Sequence, residues 1–442
     1  MMTKKWQPYP TYKDSGVEWL GAIPEHWKVK KLKNVAFINL DTLNEDIQPD
    51  YLLTYIDIGN VTSDGSILET QEFQFKQAPS RARRKVKNGD TIISTVRTYL
   101  RAISLIKDPP ENLIVSTGFA VLSPRAEIDS RFLFRFVQSS EFVEKVVAHS
   151  EGVGYPAINP SKLACLPIWL PPLPEQQKIA QFLDQETSKI DKLITKKERL
   201  IELLKEKRTA LISHAVTKGL NPDVPMKDSG VEWLGAIPEH WEVKRLKFLI
   251  TESLKYGANE SAQLEDKDCP RFIRITDITE DGLLKEDTFR SLPKDIAKPF
   301  ILKTGDILFA RSGATFGKSF MYREQWGIAC HAGYLIRARL KLAEALPEFV
   351  SYFANSSVYW DWISSIFIQA TIQNVSAEKY ANLWMGVPDI QEQQKIAQFL
   401  DRETSKIDNL ITKTRTSIDH LKEYRTALIS AAVTGKIDVR EH

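Results

Sequence analysis

The sequence is poor in cysteine, and it has no long apolar stretch. Its 442 residues include three cysteines, Cys165, Cys269 and Cys330, none of which belongs to a C-x-x-C pair. Three cysteines cannot build a disulfide framework, so the composition favours a reducing cytoplasm. No apolar run reaches the roughly 18 residues that cross a bilayer, and the start MMTKKWQPYPTYKDSG lacks the apolar core of a signal peptide. We therefore expect a cytoplasmic protein that does not bind a membrane.

An excess of charge of one sign is also missing. The chain has 60 Lys and Arg against 57 Asp and Glu, for a net charge of +3. A balance this close excludes a polycation, so any surface for nucleic acid must be local. With 43% hydrophobic and 26% charged residues, the composition is that of globular protein, and the length predicts about two to four domains.

Catalytic and metal-binding motifs are lacking as well. The seven histidines show no metal-ligand spacing, and the adjacent Cys-His pair at 330–331 stands alone. Residues 312–319 resemble a phosphate-binding loop, but Ser312 replaces its first glycine and no helix-forming stretch follows. We therefore assign no catalytic residue, no metal site and no bound cofactor to this chain.

What the sequence does contain is a duplication. Two blocks occur twice: residues 13–33 and 227–247 share 19 of 21 positions at an offset of 214, and residues 175–196 and 392–413 share 20 of 22 at an offset of 217. Chance does not produce agreement of this length. The inserts between these blocks, residues 34–172 and 248–389, keep only a faint common β-rich skeleton. Two near-identical frames thus hold different inserts, which suggests a scaffold that presents two different reading heads.

The second block of each copy begins a predicted helix. The proline-rich stretch 171–174 precedes it, and neither proline nor glycine appears again until Gly219. Proline at the start and glycine after the end are the usual limits of a helix. The pattern predicts helices over residues 175–216 and 391–433, each roughly 60 Å long at about 1.5 Å per residue.

A heptad seam of apolar residues follows both predicted helices. Because one chain carries the seam twice, it favours an intramolecular antiparallel coiled coil; the alternative is an amphipathic helix packed on its own domain. The seam, about 38 Å long, is comparable to one DNA turn of roughly 34–36 Å. If a coiled coil of this length separates two different reading heads, the DNA site is expected to be bipartite and non-palindromic, with a spacer of fixed length. The seam residues are Ile190, Ile194, Ile201, Leu204 and Leu211 in the first copy and Ile407, Ile411, Ile418, Leu421 and Leu428 in the second.

Both inserts contain cationic and polar side chains that suit nucleic acid. Five basic residues fall within residues 81–87, and such a density suits phosphates, while arginine also reads guanine edges. The alternative for this cluster is a solvated loop. The candidate DNA-binding residues are Arg81, Arg83, Arg84, Lys85, Lys87, Arg97, Tyr99 and Arg101 in the first insert, and Arg271, Arg274, Arg311, Ser312, Thr315, Lys318, Gln373 and Asn374 in the second.

Three features together resemble a known family. They are the block GVEWLGAIPEHW, the TGDILFARSG turn, and a proline-rich lead into EQQKIAQFLD. In this order and in two copies they resemble the specificity subunit of type I restriction–modification systems, and the resemblance covers nearly the whole chain. It implies a subunit without catalysis that binds double-stranded DNA. It also implies two adenine-N6 methyltransferase subunits, which bind S-adenosylmethionine, and motor–endonuclease subunits, which use ATP and Mg, as partners.

The expected fold class is α+β, with two globular mixed α/β target-recognition domains. Two long helices join these domains as an intramolecular antiparallel coiled coil, so the chain is an internal repeat with a pseudo-two-fold. The alternative function is a duplicated protein-interaction scaffold that does not read DNA. The expected boundaries are an N-terminal tail at 1–12, recognition domains at 13–172 and 221–389, a central helical spacer at 173–220, and a distal helical spacer with the C-terminal tail at 390–442.

Overall fold

The computed structural model describes residues 6–19, 21–44, 46–261, 263–279, 282–312, 316–368 and 374–441. These residues form two compact units. The first unit contains Met1–Lys197 with Arg415–His442, and the second contains Glu198–Thr414. Both units mix strands with helices, which confirms the α+β class. Among the described residues, no helix combines the length and the apolar character that crossing a bilayer requires.

The first unit begins with a hairpin and then builds its insert from short strands. Its strands are β1 (Tyr12–Asp14), β2 (Ala22–Pro24), β3 (Lys28–Lys31), β4 (Ala36–Ile38), β5 (Leu52–Ile56), β6 (Gln71–Gln74), β7 (Ala82–Lys85), β8 (Thr91–Ser94), β9 (Ile103–Leu105), β10 (Leu113–Ser116), β11 (Phe119–Pro124) and β12 (Pro167–Leu170). Its helices are α1 (Leu32–Val35), α2 (Ser130–Gln138), α3 (Ser140–Ala148), α4 (Pro160–Cys165) and the start of α5 (Leu173–Lys218).

Two four-stranded sheets make up most of the first insert. One has the order β6-β5-β10-β7, with β5 and β10 parallel, and the other is the antiparallel sheet β4-β11-β8-β9. Strand β12 then pairs with β3, which returns the end of the insert to its beginning. Trp27, Phe136 and Trp169 are fully buried in the core beneath this pair. The frame therefore encloses the insert, and the insert can differ without disturbing the frame.

The second unit repeats this plan with different lengths. Its strands are β13 (Met226–Asp228), β14 (Ala236–Pro238), β15 (Glu242–Arg245), β16 (Lys255–Tyr256), β17 (Arg271–Ile273), β18 (Ile307–Ala310), β19 (Ser319–Met321), β20 (Ala329–His331), β21 (Leu335–Ala338) and β22 (Trp384–Val387). Its helices are α6 (Lys294–Ala297), α7 (Pro347–Phe353), α8 (Ser357–Ile368), α9 (Ala377–Ala381) and the start of α10 (Ile390–Val433).

The faint similarity between the inserts corresponds to a shared strand skeleton. Strands β17 and β20 are parallel, as β5 and β10 are. Strand β18 lies between β19 and β21, as β8 lies between β9 and β11. Strand β22 pairs with β15, as β12 pairs with β3. The two inserts are thus versions of one fold whose connecting segments differ.

The long helices α5 and α10 confirm the predicted pair of helices. Each ends just before a glycine with positive φ, Gly219 at 75° and Gly435 at 72°, because glycine adopts the left-handed conformation of a helix C-cap readily. The ten predicted seam residues are all buried or half-buried. In the second unit, Leu204, Ile407 and Ile411 form one apolar cluster.

Ion pairs fix the antiparallel register within each unit. In the first unit, Arg425 Nε donates to Asp191 Oδ1 at 2.9 Å, and Lys178 Nζ donates to the Arg440 carbonyl at 3.0 Å. In the second unit, Arg208 Nε donates to Asp408 Oδ1 at 3.0 Å. Because Asp191 and Asp408 are equivalent in the repeat, as are Arg208 and Arg425, the same pair occurs once in each unit. The internal repeat therefore extends to the contacts that the long helices make within each unit.

Candidate nucleic-acid interface

The connection from β8 to β9 carries three of the predicted DNA-binding residues. Arg97 and Arg101 have φ of 51° and 55°, and they flank a 3-10 turn formed by Thr98–Leu100. Left-handed backbone is unfavourable for a residue with a side chain and is characteristic of functional sites. Thr98 is buried, with its Oγ1 3.0 Å from Ser150 Oγ. This contact holds the turn so that Tyr99 stays exposed.

A second segment, residues 150–157, packs against this connection. The amide of Arg97 donates to the Pro156 carbonyl at 2.8 Å, and Ile158 N donates to Thr95 O at 2.8 Å. The guanidinium of Arg97 lies 4.4 Å from the centroid of the Tyr155 ring, which is 64% exposed. The exposed side chains of these two segments form the first connector surface, namely Arg97, Tyr99, Leu100, Val153 and Tyr155.

The second unit has a surface at the equivalent place. Its β18–β19 connection begins at Arg311, whose carbonyl accepts from Val375 N at 2.9 Å. Arg311 Nε donates to Asn374 Oδ1 at 3.3 Å, and its guanidinium lies 4.9 Å from the centroid of the Tyr256 ring. Arg311, Ser312, Lys318, Tyr256 and Asn374 form the second connector surface. The predicted residues Thr315 and Gln373 lie outside the described residues.

The pairing of segments is the same in both units. Val96 forms an isolated bridge with Ala157, and Ser312 forms one with Asn374. These residues are related by offsets of 216 and 217, which lie between and at the offsets of 214 and 217 of the repeated blocks. The structure thus brings together predicted residues that are far apart in the sequence, Ser312 with Asn374 above all. The phosphate-loop-like residues 312–319 lead into strand β19, so the helix which that motif requires does not follow them.

The basic cluster at 81–87 lies on and beside β7, in the other sheet of the first unit. Arg81 stands nearest to the first connector surface, because its carbonyl accepts from Thr117 N at 2.8 Å, and Thr95 N donates to Gly118 O at 2.8 Å. The other cations are spread along β7: Arg83 lies 4.7 Å from the Phe75 centroid, Arg84 donates to Thr42 Oγ1 at 3.2 Å, Lys85 is exposed, and Lys87 Nζ lies 2.8 Å from an Asp41 oxygen.

Two of these cations have shifted pKa values. The hydrogen bond to Asp41 raises the pKa of Lys87, which keeps this ammonium charged. Burial lowers the pKa of the Arg84 guanidinium. Arg81 is the most accessible arginine of the cluster, with a side chain that is 62% exposed 4.0 Å from Asp57. The cluster therefore offers phosphates mainly Arg81, Lys85 and Lys87.

Two arginines predicted to face DNA are used inside the second unit instead. Arg271 is 5% exposed, and its Nη2 donates to the Lys285 carbonyl at 2.5 Å. Arg274 makes a two-pronged pair with the buried Asp277, at 2.7 and 3.0 Å. Guanidinium groups held by internal acceptors are not free for phosphates or bases. We leave both residues out of the interface.

The sequence reading missed Tyr155 and Tyr256, the aromatic supports of the two connector arginines. Gly152 and Gly154 bracket the tip of the segment that contains Tyr155, and Gly152 has φ of 110°. These two glycines, which precede a helix, could have predicted an exposed loop at this place in the sequence. Tyr256 gave no comparable signal, because it meets Arg311 only through the pairing of β16 with β21.

The duplicated histidines belong to the frame. His26 Nε2 lies 2.7 Å from Glu175 Oε2, and His240 Nε2 lies 2.8 Å from Glu392 Oε2. Glu175 also accepts from Trp27 Nε1 at 3.0 Å. These contacts fasten the hairpin of each unit to the start of a long helix. They agree with a structural role for the repeated Pro-Glu-His-Trp sequence.

The duplicated frame and its two cationic connector surfaces define a two-headed binding protein. The model of the type I restriction modification DNA specificity domain matches residues 24–203 and 238–420. The matches cover most of the chain, and the chain therefore belongs to the type I restriction–modification DNA specificity family. Its role is DNA recognition without catalysis, which favours DNA over the protein-scaffold alternative.

Curated relatives and solved structures agree with this membership. The specificity subunit of the type I restriction enzyme MjaVIII from Methanocaldococcus jannaschii is 26% identical over 74% of this chain and 75% of its own length. The EcoKI specificity subunit of Escherichia coli K12 is 23% identical over 72% of this chain and 68% of its own.

Two solved structures share the fold. A chain from a study of complex assembly and conformational transition of the type I restriction–modification system has a TM-score of 0.73 at 19% identity, over 93% of this chain and 98% of its own. The HsdS subunit from Thermoanaerobacter tengcongensis has a TM-score of 0.53 at 20% identity, over 94% of this chain and 98% of its own.

Proposed function

We propose that this chain reads an asymmetric, bipartite DNA site, with one recognition domain for each half-site and a spacer of fixed length between them. The observation that carries the proposal is the pair of connector surfaces. They occupy equivalent positions on one skeleton, yet they present different side chains within nearly identical frames. Two such heads read two different half-sites, and continuous helices are suited to keep their separation constant.

The proposal includes the partners that perform the chemistry. Two methyltransferase subunits with S-adenosylmethionine modify adenine N6, and motor–endonuclease subunits with ATP and Mg translocate and cut DNA. The chain itself binds none of these cofactors and supplies the specificity. Because the partner is the DNA of the cell, we place the assembly in the cytoplasm.

Mapping of methylated adenines tests the proposal. The chain is co-expressed with its methyltransferase subunit in a host without adenine methylation, and N6-methyladenine is located genome-wide by long-read sequencing. We expect a split, asymmetric motif with a single gap length. A continuous motif, or a palindromic one, contradicts two different heads. No methylation by a stable complex with an active partner contradicts DNA readout in favour of a protein scaffold.

Insertion of a heptad tests the helices as a ruler. Seven residues are added near Leu200 and seven more at the equivalent Ser417, which preserves the seam in both helices. Seven helical residues add about 10 Å, so we expect the gap to grow by about three base pairs with both half-sites unchanged. A control with five residues added at each place, which rotates the two ends of the seam by about 140° relative to each other, should lose methylation. An altered half-site contradicts the ruler.

A further inference from the structure

The two connector surfaces have one feature in common, although their sequences differ. Each holds an arginine over an exposed tyrosine ring, Arg97 on Tyr155 at 4.4 Å and Arg311 on Tyr256 at 4.9 Å. The supporting tyrosine comes from a different part of the chain in each unit. The same kind of pair is thus built in two ways on equivalent connections, although the bridges align Arg311 with Thr95, two residues before Arg97.

Neither arginine is neutralised by a neighbouring acid. Within the described ranges, neither guanidinium has a carboxylate among its ion-pair partners at 4.0 Å, whereas Arg208, Arg274 and Arg425 do. In the described contacts, Arg97 makes hydrogen bonds only through its backbone amide and carbonyl, so its five side-chain N–H donors have no acceptor among the described residues. Among the same residues, Arg311 donates only through Nε, to Asn374, and neither terminal nitrogen has a hydrogen-bond partner there.

Both arginines are also held in place before any ligand arrives. Stacking on an aromatic ring restricts the rotamers of arginine, and the left-handed backbone at Arg97 fixes the direction in which its side chain leaves the turn. A planar fork with a fixed direction suits two parallel hydrogen bonds to the O6 and N7 atoms of guanine. A phosphate does not require such a fork, because the ammonium of an exposed lysine such as Lys85 can contact it as a point charge.

The surroundings of Arg97 suit the floor of a DNA groove better than the phosphate backbone. Tyr99, Leu100 and Val153 are all exposed beside it. Apolar side chains gain nothing from phosphates, but they can contact base edges, including the methyl group of thymine. The charged group thus stands within an apolar surface, as expected of a residue that reads bases.

We propose that Arg97 and Arg311 are the guanine-reading residues of the two recognition domains, with Tyr155 and Tyr256 as the residues that position them. The inference rests on the proposed function and names the base that each head recognises. Each half-site then contains a G·C pair whose guanine meets the arginine of one head. The neighbouring bases differ because the surroundings of the two arginines differ.

Binding to altered duplexes tests the assignment. The complex of the full chain with its methyltransferase subunit is titrated with fluorescent duplexes of the mapped motif, in which each G·C pair is replaced in turn by A·T. For the wild type, one replacement in the half-site of the first head should weaken binding about 5- to 150-fold. For Arg97→Gln, this ratio should fall to about one, with the other half-site unchanged. Arg311→Gln should do the same in the half-site of the second head.

Matched arginines elsewhere provide the controls. Arg125 lies over Phe37 at 3.9 Å in the first unit, and Arg245 lies over Trp384 at 4.4 Å and donates to Asn382 in the second. Arg125→Gln and Arg245→Gln should keep every ratio at its wild-type value. For the positioning residue, Tyr155→Leu should lower the ratio and Tyr155→Phe should restore it.

The possible results separate this inference from the proposed function. If Arg97→Gln weakens binding to every duplex equally and lowers the salt dependence by about one phosphate, Arg97 contacts the backbone and the assignment is wrong. The same conclusion follows if Arg97→Gln leaves the ratios unchanged. A wild-type complex that shows no split motif overturns the proposed function itself.

Discussion

At the scale of single residues, Glu175 and its counterpart Glu392 show how identical sequences acquire different environments. Glu175 is buried and accepts from Tyr9 OH at 2.7 Å, from Trp27 and from His26. Glu392 accepts from His240 alone among the described side-chain contacts, and Trp241 Nε1 is buried there without a partner. The N-terminal segment that supplies Tyr9 lies outside the repeated blocks, so the repeat could not predict this difference.

Removing these two carboxylates should have unequal effects. Glu175→Ala leaves three donors without their acceptor, so we expect the free energy of unfolding of the first unit to fall by about 2 to 4 kcal/mol. Glu392→Ala is the matched control, and it should lower the free energy of unfolding of the second unit by about 1 kcal/mol or less. Chemical denaturation followed by tryptophan fluorescence measures both. Equal losses would show that the extra donors of Glu175 add nothing.

His331 makes the second unit sensitive to acid. It is fully buried, and its pKa is lowered to about 4, chiefly by this burial and to a lesser degree by the nearby Arg337, while hydrogen bonds to the Phe300 and Lys255 carbonyls partly oppose the shift. An unfolded histidine has a pKa of about 6.5, so the unfolded chain binds the proton first. The stability from neutral His331 is complete above pH of about 6.5 and is lost as the pH falls toward 4.

Replacement of His331 should therefore flatten the pH dependence. Between pH 7 and 4.5, we expect the wild type to lose about 2 to 3 kcal/mol more unfolding free energy than His331→Asn. Urea midpoints of both chains across this range give the comparison. The carboxylates titrate equally in both chains. The difference between the unfolding free energies of the two chains therefore reports His331 alone. Parallel curves would mean that His331 is protonated without cost in the folded state.

The arginines show which features of single residues could be predicted from the sequence. A local density of charge identified residues 81–87, but it could not show that those cations are spread along β7. Arg274 is followed by Asp277 three residues later, a spacing that offers an internal partner, and the structure pairs them. Arg97 and Tyr155 are 58 positions apart in the chain, and only the fold brings them together.

At the scale of elements, the long helices were the most predictable feature. Their limits follow from proline and glycine, and residues 175–216 and 391–433 were expected where Leu173–Lys218 and Ile390–Val433 are found. The register was not predictable, because a heptad pattern alone permits shifts by whole heptads. Arg208 and Arg425 interrupt the apolar seam, and both pair with an aspartate of the other helix. Polar seam positions thus specify the alignment.

A charge exchange tests this register in the second unit. Arg208→Asp or Asp408→Arg places like charges together, so each should lower the free energy of unfolding by about 1 kcal/mol at low salt. The double variant restores opposite charges and should recover most of that loss. Thermal unfolding in low and high salt measures the four chains. Additive losses in the double variant would mean that these side chains are not paired.

At the scale of the whole molecule, the sequence showed the duplication but not how the repeated segments are divided between the two units. Each unit contains one hairpin, one insert and one part of each long helix, so the second unit is the continuous stretch Glu198–Thr414 and the first is assembled from Met1–Lys197 and Arg415–His442. The inserts were expected to share a skeleton because β-rich runs recur in both. The sequence did not indicate which loops form the two connector surfaces, because no sequence pattern marks an arginine whose backbone adopts the left-handed conformation.

Exchange of the inserts tests the pseudo-two-fold. If residues 34–172 and 248–389 trade places, the symmetric frame presents the same two heads, and we expect the methylation motif to stay the same, read from the opposite strand. A chain with residues 34–172 in both frames should instead give a palindromic motif with the same gap. Long-read methylation maps distinguish these results. A new motif from the exchanged chain would mean that the frames are not equivalent.

The near-identity of the two repeated frames also affects how the gene can rearrange. Gene segments that encode blocks with 19 of 21 and 20 of 22 identical residues are suited to homologous recombination with each other. Such an event deletes 214 residues between the first pair of blocks or 217 between the second, and it leaves one head with one long helix. That helix keeps its seam and both members of the register pair, an aspartate equivalent to Asp191 and an arginine equivalent to Arg208. Two such products are expected to pair with each other, so under the proposed function a single deletion would turn a gene for an asymmetric site into one for a symmetric site.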